Sequence, residues 1–352
     1  MKVLVAMSGG VDSSVAAALL KEAGHDVVGA TLKLWGGASD SGCCSVSDVD
    51  DARRVAQLLN IDHHVFNYTE EFDRHVVAPF VADYAAGLSP NPCIECNRHI
   101  KFDLLFERAE RLGFDAVATG HHAQVLPGPQ GPLLVRGTDP AKDQSYVLGY
   151  LTDAQLRMLL LPIGHLHKSD VREHAQRIGL RTWDKPDSQD VCFIEAAAGR
   201  EAFLRSRIDL TEAELVDVNS GAVIGTTAAA ELMTIGQRKG VLPDRHGEKR
   251  FVAKVELGAR RVHVGRLEDI VTTAIALNQE TVTFAREPLT PGAKVWVQCS
   301  AHGTPLSGTL WRDDDWRIEL DEPARPIAAG QSTVFYNYEE PSVVEGAAIV
   351  GR

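Results

Sequence analysis

Ser8-Gly9-Gly10-Val11-Asp12-Ser13-Ser14 stands between a short apolar run, residues 2–7, and a helical stretch, residues 12–23, that Gly24 closes. Glycines let a backbone come close to an anion, and a helix N-terminus offers free N–H groups and a partial positive charge. Ser8, Ser13 and Ser14 add hydroxyl donors. The segment is therefore a candidate phosphate loop. It lacks the Gly-x-x-x-x-Gly-Lys-Ser/Thr spacing, so it is not of the Walker type. A tight strand-to-helix turn that merely contains glycine is the simpler alternative. Seven residues of donor-rich sequence at the head of the first helix favour phosphate.

Working outward, residues 27–35, 62–68 and 116–120 are β-rich. Residues 47–59 predict a helix with Ser47 at the N-cap, Asp48 and Asp50 in the first turn, and Val49, Ala52, Val55, Ala56 and Leu59 as the apolar stripe. Residues 102–112 predict another. Strands and helices alternating at this spacing predict an α/β fold with a doubly wound parallel sheet. Residues 124–137 carry a hairpin signal around Pro127 and Pro132, and two helices are expected at 153–160 and 169–178. A polar loop, 183–190, leads to Val191-Cys192-Phe193-Ile194. Beyond about residue 210, short runs at 252–256, 261–264, 293–299, 308–311, 317–320 and 332–337 lie among Gly and Pro. They predict two small β-rich domains, the last a β-barrel. The expected division is 1–200, 201–272 and 273–352.

The chain has 352 residues, 44 % apolar and 24 % charged, which is the composition of an ordinary soluble globular protein. Disordered, fibrous and disulfide-scaffold classes are excluded. The apolar runs are too short for a membrane span, and the first residues carry no signal-peptide pattern. A cytoplasmic location without a membrane partner is expected, with the six cysteines as thiols or ligands. The net charge of −12 argues against a nucleic-acid partner. Residues 236–266 argue the other way. Arg238, Lys239, Arg245, Lys249, Arg250, Lys254, Arg260, Arg261 and Arg266 outnumber Asp244, Glu248 and Glu256, a local excess of +6.

Cys93 and Cys96 sit in Asn91-Pro92-Cys93-Ile94-Glu95-Cys96-Asn97, with Arg98, His99 and Lys101 following. A helix start and nearby cations lower a thiol pKa and favour the nucleophilic thiolate. A single Cys-x-x-Cys lacks the second pair of a convincing zinc site. Cys192 stands alone in a polar loop. Cys299 and the pair Cys43-Cys44 read as small buried residues.

The phosphate loop resembles the Ser-Gly-Gly-x-Asp-Ser signature of the PP-loop ATP pyrophosphatases, an adenine nucleotide alpha hydrolase-like fold. Further motifs narrow the resemblance: Asn91-Pro92-Cys93-x-x-Cys96-Asn97, Ala118-Thr119-Gly120-His121-His122-Ala123, Lys142-Asp143-Gln144-Ser145-Tyr146, Lys185-Pro186-Asp187-Ser188-Gln189-Asp190-Val191-Cys192-Phe193-Ile194, Thr234-Ile235-Gly236-Gln237-Arg238-Lys239-Gly240 and Gly330-Gln331-Ser332-Thr333-Val334-Phe335-Tyr336. Together they are similar, in order and over nearly the full chain, to the bacterial tRNA-specific 2-thiouridylases.

The resemblance implies an ATP- and Mg²⁺-dependent sulfurtransferase that thiolates the wobble uridine of tRNAs for Lys, Glu and Gln. ATP adenylates the uracil 2-carbonyl oxygen, and sulfur arrives as a persulfide from a cysteine desulfurase or a relay protein. It implies ATP contacts from Ala6, Met7, Ser8, Gly9, Gly10, Val11, Asp12, Ser13, Leu32 and Gly120, with Asp12 orienting the loop or Mg²⁺. Cys192 would carry the persulfide and Cys96 would act as nucleophile, the two ending as a disulfide. Asn91, Pro92 and Cys93 would face the target base, and His121, Lys142, Asp143, Gln144, Ser300 and Gln331 would contact tRNA. His122 reads as a bystander. Many relatives carry Asp at the position of Cys93. Cys93, Cys96 and Cys192 could instead ligate a 4Fe–4S cluster, an alternative to the preferred persulfide chemistry. Ser300 stands where relatives often carry Arg. Two rivals are another PP-loop adenylating ligase and a binding module without catalysis, and the paired cysteine loops count against both.

Overall fold

The structure is a computed structural model that describes residues 1–35, 46–187, 191–195, 198–243 and 246–351. Cys43 and Cys44, Ser188, Gln189 and Asp190 of the polar loop, and Asp244 and Arg245 of the basic segment lie outside the described residues.

Strand β1 (Lys2–Ala6) leads through the phosphate loop into helix α1 (Val11–Glu22). Strand β2 (Asp26–Lys33), helix α2 (Val46–Leu59) and strand β3 (Asp62–Asn67) follow. Strand β4 (Ala116–Ala118), hairpin strands β5 (Ala123–Gly128) and β6 (Gly131–Arg136), and strand β7 (Leu159–Leu160) come next. Five of these strands form one parallel sheet in the order β3-β2-β1-β4-β7. Successive side chains of a strand face opposite ways. Val3 and Val5 accordingly enter one hydrophobic core while Leu4 enters the other. Both faces are covered, which is why β1 reads as a continuous apolar run. Helix α1 packs against α2 and the helix Lys168–Arg177. Its Val15-Ala16-Ala17-Ala18 stretch is buried because small side chains permit close approach.

The expected strands, the hairpin and the doubly wound sheet are present. Three elements differ from expectation. Helix α2 includes Val46, so Ser47 stands inside it and not at its N-cap. The helix foreseen at 153–160 stops at Met158, and Leu159–Leu160 extends beside β4, where pairing satisfies its backbone and buries Leu159. The helix foreseen at 102–112 starts ten residues earlier. It runs through Pro92–Glu95, a wide-turned segment Cys96–Leu104, and Leu105–Arg111. Proline is compatible with the first helical position, so Pro92 opens the helix instead of preceding it.

Beyond the helix Gly199–Arg205, whose Leu204 belongs to the same core as Leu4, come two further sheets. The first contains β8 (Ala213–Asp217), β9 (Val223–Thr227), β10 (Phe251–Glu256) and β11 (Arg261–Gly265), in the order β10-β11-β8-β9. The second contains β12 (Thr272–Ala276), β13 (Thr283–Phe284), β14 (Ala293–Gln298), β15 (Leu306–Arg312), β16 (Trp316–Ala324), β17 (Ser332–Asn337) and β18 (Val344–Ile349). These seven strands form a curled antiparallel sheet around Val295, Val297, Leu310, Ile318 and Phe335. The Leu277–Val350 bridge draws its edges together into a partly closed barrel.

Candidate functional site

The phosphate loop leaves the carboxyl end of β1 beside β4, where the chain's path reverses direction across the sheet and a doubly wound fold opens its ligand crevice. Met7 N–H donates to Ala30 O (2.8 Å), and the Thr31 hydroxyl donates to Met7 O (2.7 Å). Ser8 N–H donates to Ser13 Oγ (3.1 Å), and the Ser14 hydroxyl to Gly10 O (2.7 Å). Gly9 has φ +75°, and a Cβ there would lie 2.3 Å from Asp48 O. A Cβ on Gly120 would lie 2.5 Å from Ser13 N. Both glycines are therefore required: one for the turn and its contact with α2, the other for close approach of the β4 exit to the start of α1. First-turn N–H groups of a helix have no intrahelical acceptor.

A cavity of about 660 Å³ opens in front of this loop. Ala6, Met7, Ser8, Gly10, Val11, Asp12 and Ser13 line it, as do Leu32 and Gly120, while Gly9 lies behind the lining. Lys101, Lys142, Lys168 and Lys185 also line it. The sequence reading did not single out Lys101, Lys168 or Lys185 as site residues. Lys168 Nζ lies 2.7 and 2.6 Å from the two Asp12 oxygens and 2.8 Å from Asp187. Lys142 reaches Asp187 at 2.7 Å, and Lys185 reaches Asp48 (2.7 Å), Asp51 (2.9 Å) and Gly9 O (3.2 Å). Burial would raise the Asp12 and Asp187 carboxyls. Hydrogen bonds from His122 and Lys168 to Asp12, and from Lys142 and Lys168 to Asp187, outweigh burial, so Asp12 lies below the ordinary carboxyl value and Asp187 at about 2. This pairing ties the segment that ends at Asp187 to the phosphate loop. The lysines give the cavity the chemistry to hold a polyphosphate chain.

His122 is not a bystander. It is 3 % exposed, and its Nε2 donates to Asp12 Oδ1 at 3.2 Å. His121 lines the cavity and pairs with the Thr119 hydroxyl at 2.7 Å. Desolvation, with Lys101 and His122 nearby, pushes its imidazole down to about 3, so it stays neutral. Lys142, Asp143 and Gln144 line the cavity, but Asp143 and Gln144 also face inward. Gln144 accepts from His122 N–H (2.8 Å), and Asp143 accepts from Gly137 N–H, Ser145 N–H and the Arg136 guanidinium.

Asn91 caps the cysteine helix, its side-chain oxygen accepting from Cys93 N–H (3.2 Å) and Ile94 N–H (3.4 Å). Cys96 lies one turn into the helix, close to its N-terminus as expected. Cys93 is exposed, Cys96 buried and Cys192 half-buried. Cys96 belongs to, and Cys192 packs against, the same hydrophobic core. Phe193 anchors the Cys192 segment there, its ring 5.2 Å from those of Phe80 and Phe203. Burying a side chain of that size contributes about 3 kcal/mol. His99 is held protonated, up to about 9, by Asp103 and Glu95. The described cavity lining includes Lys101 of the same helix but not Asn91, Pro92, Cys93, Cys96 or Cys192. Among the described residues, no three His, Cys, Asp or Glu side chains are gathered to hold a metal ion.

From the barrel, Ala301 and His302 line the cavity next to exposed Ser300. Gln331 reaches back to the cysteine loop, its Nε2 donating to Ser89 O at 2.6 Å. The Ser89 hydroxyl in turn donates to Thr234 Oγ1 at 3.1 Å, so both accessory sheets brace the segment before Asn91. Burial pushes the Cys299 thiol up to about 11, as suits a structural cysteine. The basic segment is less bare than its count. Arg250 pairs with Asp217, Lys254 with Glu256, Arg261 with Glu214 and Arg266 with Glu248. Arg238, Lys239, Lys249 and Arg260 are exposed, with no carboxylate partner among the described residues.

Residues 1–196 match the family described as tRNA methyl transferase HUP domain. The chain is 42 % identical to the tRNA-specific 2-thiouridylase MnmA of Salinispora tropica, over 99 % of each chain. It is 44 % identical to that of Rhodococcus opacus, over 96 % of this chain and 93 % of that one. Among solved structures it is similar to a 4-thiouridine synthetase in complex with RNA and ATP, with 18 % identity, a TM-score of 0.38, and coverage of 54 % of this chain and 44 % of that one. It is also similar to an NMN synthetase from Francisella tularensis, with 23 % identity, a TM-score of 0.34, and coverage of 53 % and 66 %. With the phosphate loop, the cysteine helix and the barrel turn joined around one cavity, and with near-complete coverage of relatives above 40 % identity, the chain belongs to the tRNA-specific 2-thiouridylase family.

Proposed function

We propose that the protein is a tRNA-uridine 2-sulfurtransferase that thiolates the wobble uridine of tRNAs for Lys, Glu and Gln, using ATP and a cysteine persulfide. One observation carries this reading: a single cavity is lined by the phosphate loop, four lysines and the barrel turn at Ala301 and His302, beside the helix of Cys96. ATP binds with its phosphates on the residues between Ala6 and Ser13 and its adenosine near Leu32 and Gly120. Among the described residues no carboxylate cage waits for Mg²⁺, and Asp12 is already held by Lys168 and His122. Mg²⁺ enters on the phosphates of ATP, where it neutralises the departing pyrophosphate.

The uracil O2 attacks the α-phosphorus, the bond to the β-phosphate oxygen breaks, and pyrophosphate leaves. Lysines around the loop stabilise that charge. A donor protein, a cysteine desulfurase or a relay, transfers sulfane sulfur to Cys192. The terminal sulfur of that persulfide attacks C2, and AMP departs with the former O2. The Cys96 thiolate then attacks Cys192 Sγ, forming a Cys96–Cys192 disulfide and releasing 2-thiouridine. A thiol reductant reopens the disulfide for the next cycle. Asn91, Pro92 and Cys93 border the target base, and His121, Lys142, Gln144, Ser300 and Gln331 lie on the tRNA side or brace it. The three units, 1–200, 201–272 and 273–352, act as the adenylating, tRNA-binding and barrel domains of a cytoplasmic enzyme. Among the described residues no helix is long and apolar enough to cross a membrane.

The test is substitution of either cysteine. Cys96→Ser and Cys192→Ser each abolish thiolation of tRNA supplied with MgATP and a small-molecule persulfide, while ATP binding survives. Thiolation retained by both variants overturns the roles given to them.

A further inference from the structure

Arg136, at the end of β6, links the two lips of the cavity's mouth, through Asp143 on one side and Gln298, which supports the other. Its Nη1 donates to Asp143 Oδ2 at 2.8 Å, its Nη2 to Gln298 Oε1 at 2.8 Å, and its Nε to Pro341 O at 3.1 Å. The guanidinium carbon lies 3.7 Å from the centroid of the buried Tyr336 ring. Arg136 N–H also donates to Ser342 O at 2.9 Å, docking the hairpin on the barrel. All three guanidinium nitrogens are thus engaged in a rigid, planar fork that lysine cannot reproduce.

The acceptors are what give the fork meaning. Asp143 sits between Lys142 and Gln144 on the lip formed by the parallel-sheet domain. Its carboxylate is consumed internally by Arg136, Gly137 N–H, Ser145 N–H and the Ser145 hydroxyl. Ser145 continues the chain of bonds to the Tyr336 hydroxyl at 3.0 Å. Gln298, 3 % exposed, uses its amide to hold Ser300 O (2.9 Å) and Ala301 O (3.1 Å). The turn so held carries Ala301 and His302 into the cavity wall. Arg136 has no atom in that wall among the described lining.

We propose that Arg136 is a positioning residue that fixes the width of the slot between Lys142–Gln144 and the Ser300–His302 turn, and thereby governs how tightly tRNA is held there. Asp143 acts through this fork, not by touching a phosphate: its charge and its spent oxygens suit a strut. The proposal rests on the reading that tRNA enters this slot.

The test compares Arg136→Met, Arg136→Lys, Gln298→Ala and the Arg136→Met/Gln298→Ala double variant for tRNA KM, ATP KM and melting temperature. Arg136→Met and Gln298→Ala each raise tRNA KM about tenfold, the scale of one lost charge-assisted hydrogen bond. ATP KM stays within about twofold, because the phosphate loop is untouched. Arg136→Lys falls between wild type and Arg136→Met. The double variant matches the single ones instead of multiplying them, since both break one unit. A lowered melting temperature with wild-type tRNA KM, multiplicative effects, or an equal rise in ATP KM overturns the proposal. If Arg136→Met does not fold, Gln298→Ala carries the same test alone. Failure of the unaltered enzyme to thiolate tRNA refutes the functional reading instead, and tRNA dissociation constants of the same variants then decide the role of Arg136.

Discussion

Lys168→Met is the most informative change at the phosphate loop. The Lys168 side chain is 10 % exposed and bridges Asp12 and Asp187, whose side chains are 30 % and 21 % exposed. Removing one partner of a buried ion pair costs about 3–5 kcal/mol. Here each carboxylate keeps other partners: His122 for Asp12, and Lys142 and Arg172 for Asp187. Partial exposure and this redundancy reduce the cost to about 2–3 kcal/mol. In a cooperative unit of roughly 150–250 residues that lowers the melting temperature by about 5–10 °C. The cavity also loses one of four lysines, so ATP affinity falls about tenfold or more. Scanning calorimetry and equilibrium ATP binding on the same preparation read both effects, with Lys168→Arg as the charge-retaining control. A melting temperature within about 1 °C of wild type, together with unchanged ATP affinity, refutes the assignment of Lys168 as the link between the phosphate loop and Asp187.

Other expectations follow from the same geometry. Gly120→Ala places a methyl group 2.5 Å from Ser13 N; ATP binding by calorimetry should weaken at least about tenfold while the far-ultraviolet circular dichroism is kept, and wild-type affinity would show that the loop does not need this approach. Because Asp12 and Asp187 titrate lower folded than unfolded, their contribution is complete above the ordinary carboxyl value of about 4 and is lost as the pH falls toward about 2. The melting-temperature gap between wild type and Lys168→Met should therefore be constant near pH 6 and shrink below about pH 4; a gap that widens on acidification contradicts the pairing. Four exposed cations, Arg238, Lys239, Lys249 and Arg260, with no carboxylate partner among the described residues, predict a log–log salt slope of tRNA binding near about −3. A flat salt dependence would remove that surface from the interface.

Much of the site was legible because local chemistry dictates it. The Gly9-Gly10 turn, the strand before it and the helix after it announce themselves in sequence, since the left-handed backbone at Gly9 favours glycine and a helix N-terminus suits an anion. Leu32 and Gly120 were implied by the resemblance, and both line the cavity at the carboxyl edge of the doubly wound sheet. What sequence hid is long-range pairing. Lys168 opens an ordinary amphipathic helix, and its partner Asp12 lies 156 positions away. His122 looked incidental because nothing local reveals that its ring meets Asp12. The basic segment looked stronger than it is because Asp217 and Glu214, outside it, neutralise Arg250 and Arg261. Leu159–Leu160 follows a helix so closely that only the open edge of β4 shows it to be a strand.

The central claim is that one cavity adenylates a uridine of tRNA and delivers sulfur to it. Mass spectrometry of nucleosides from tRNA incubated with the enzyme, MgATP and a persulfide donor tests it directly. 2-Thiouridine derivatives at the wobble position of tRNAs for Lys, Glu and Gln, with AMP and pyrophosphate formed in equal amounts, are the predicted result. AMP formed without any thiolated nucleoside, or sulfur incorporated without ATP, contradicts it.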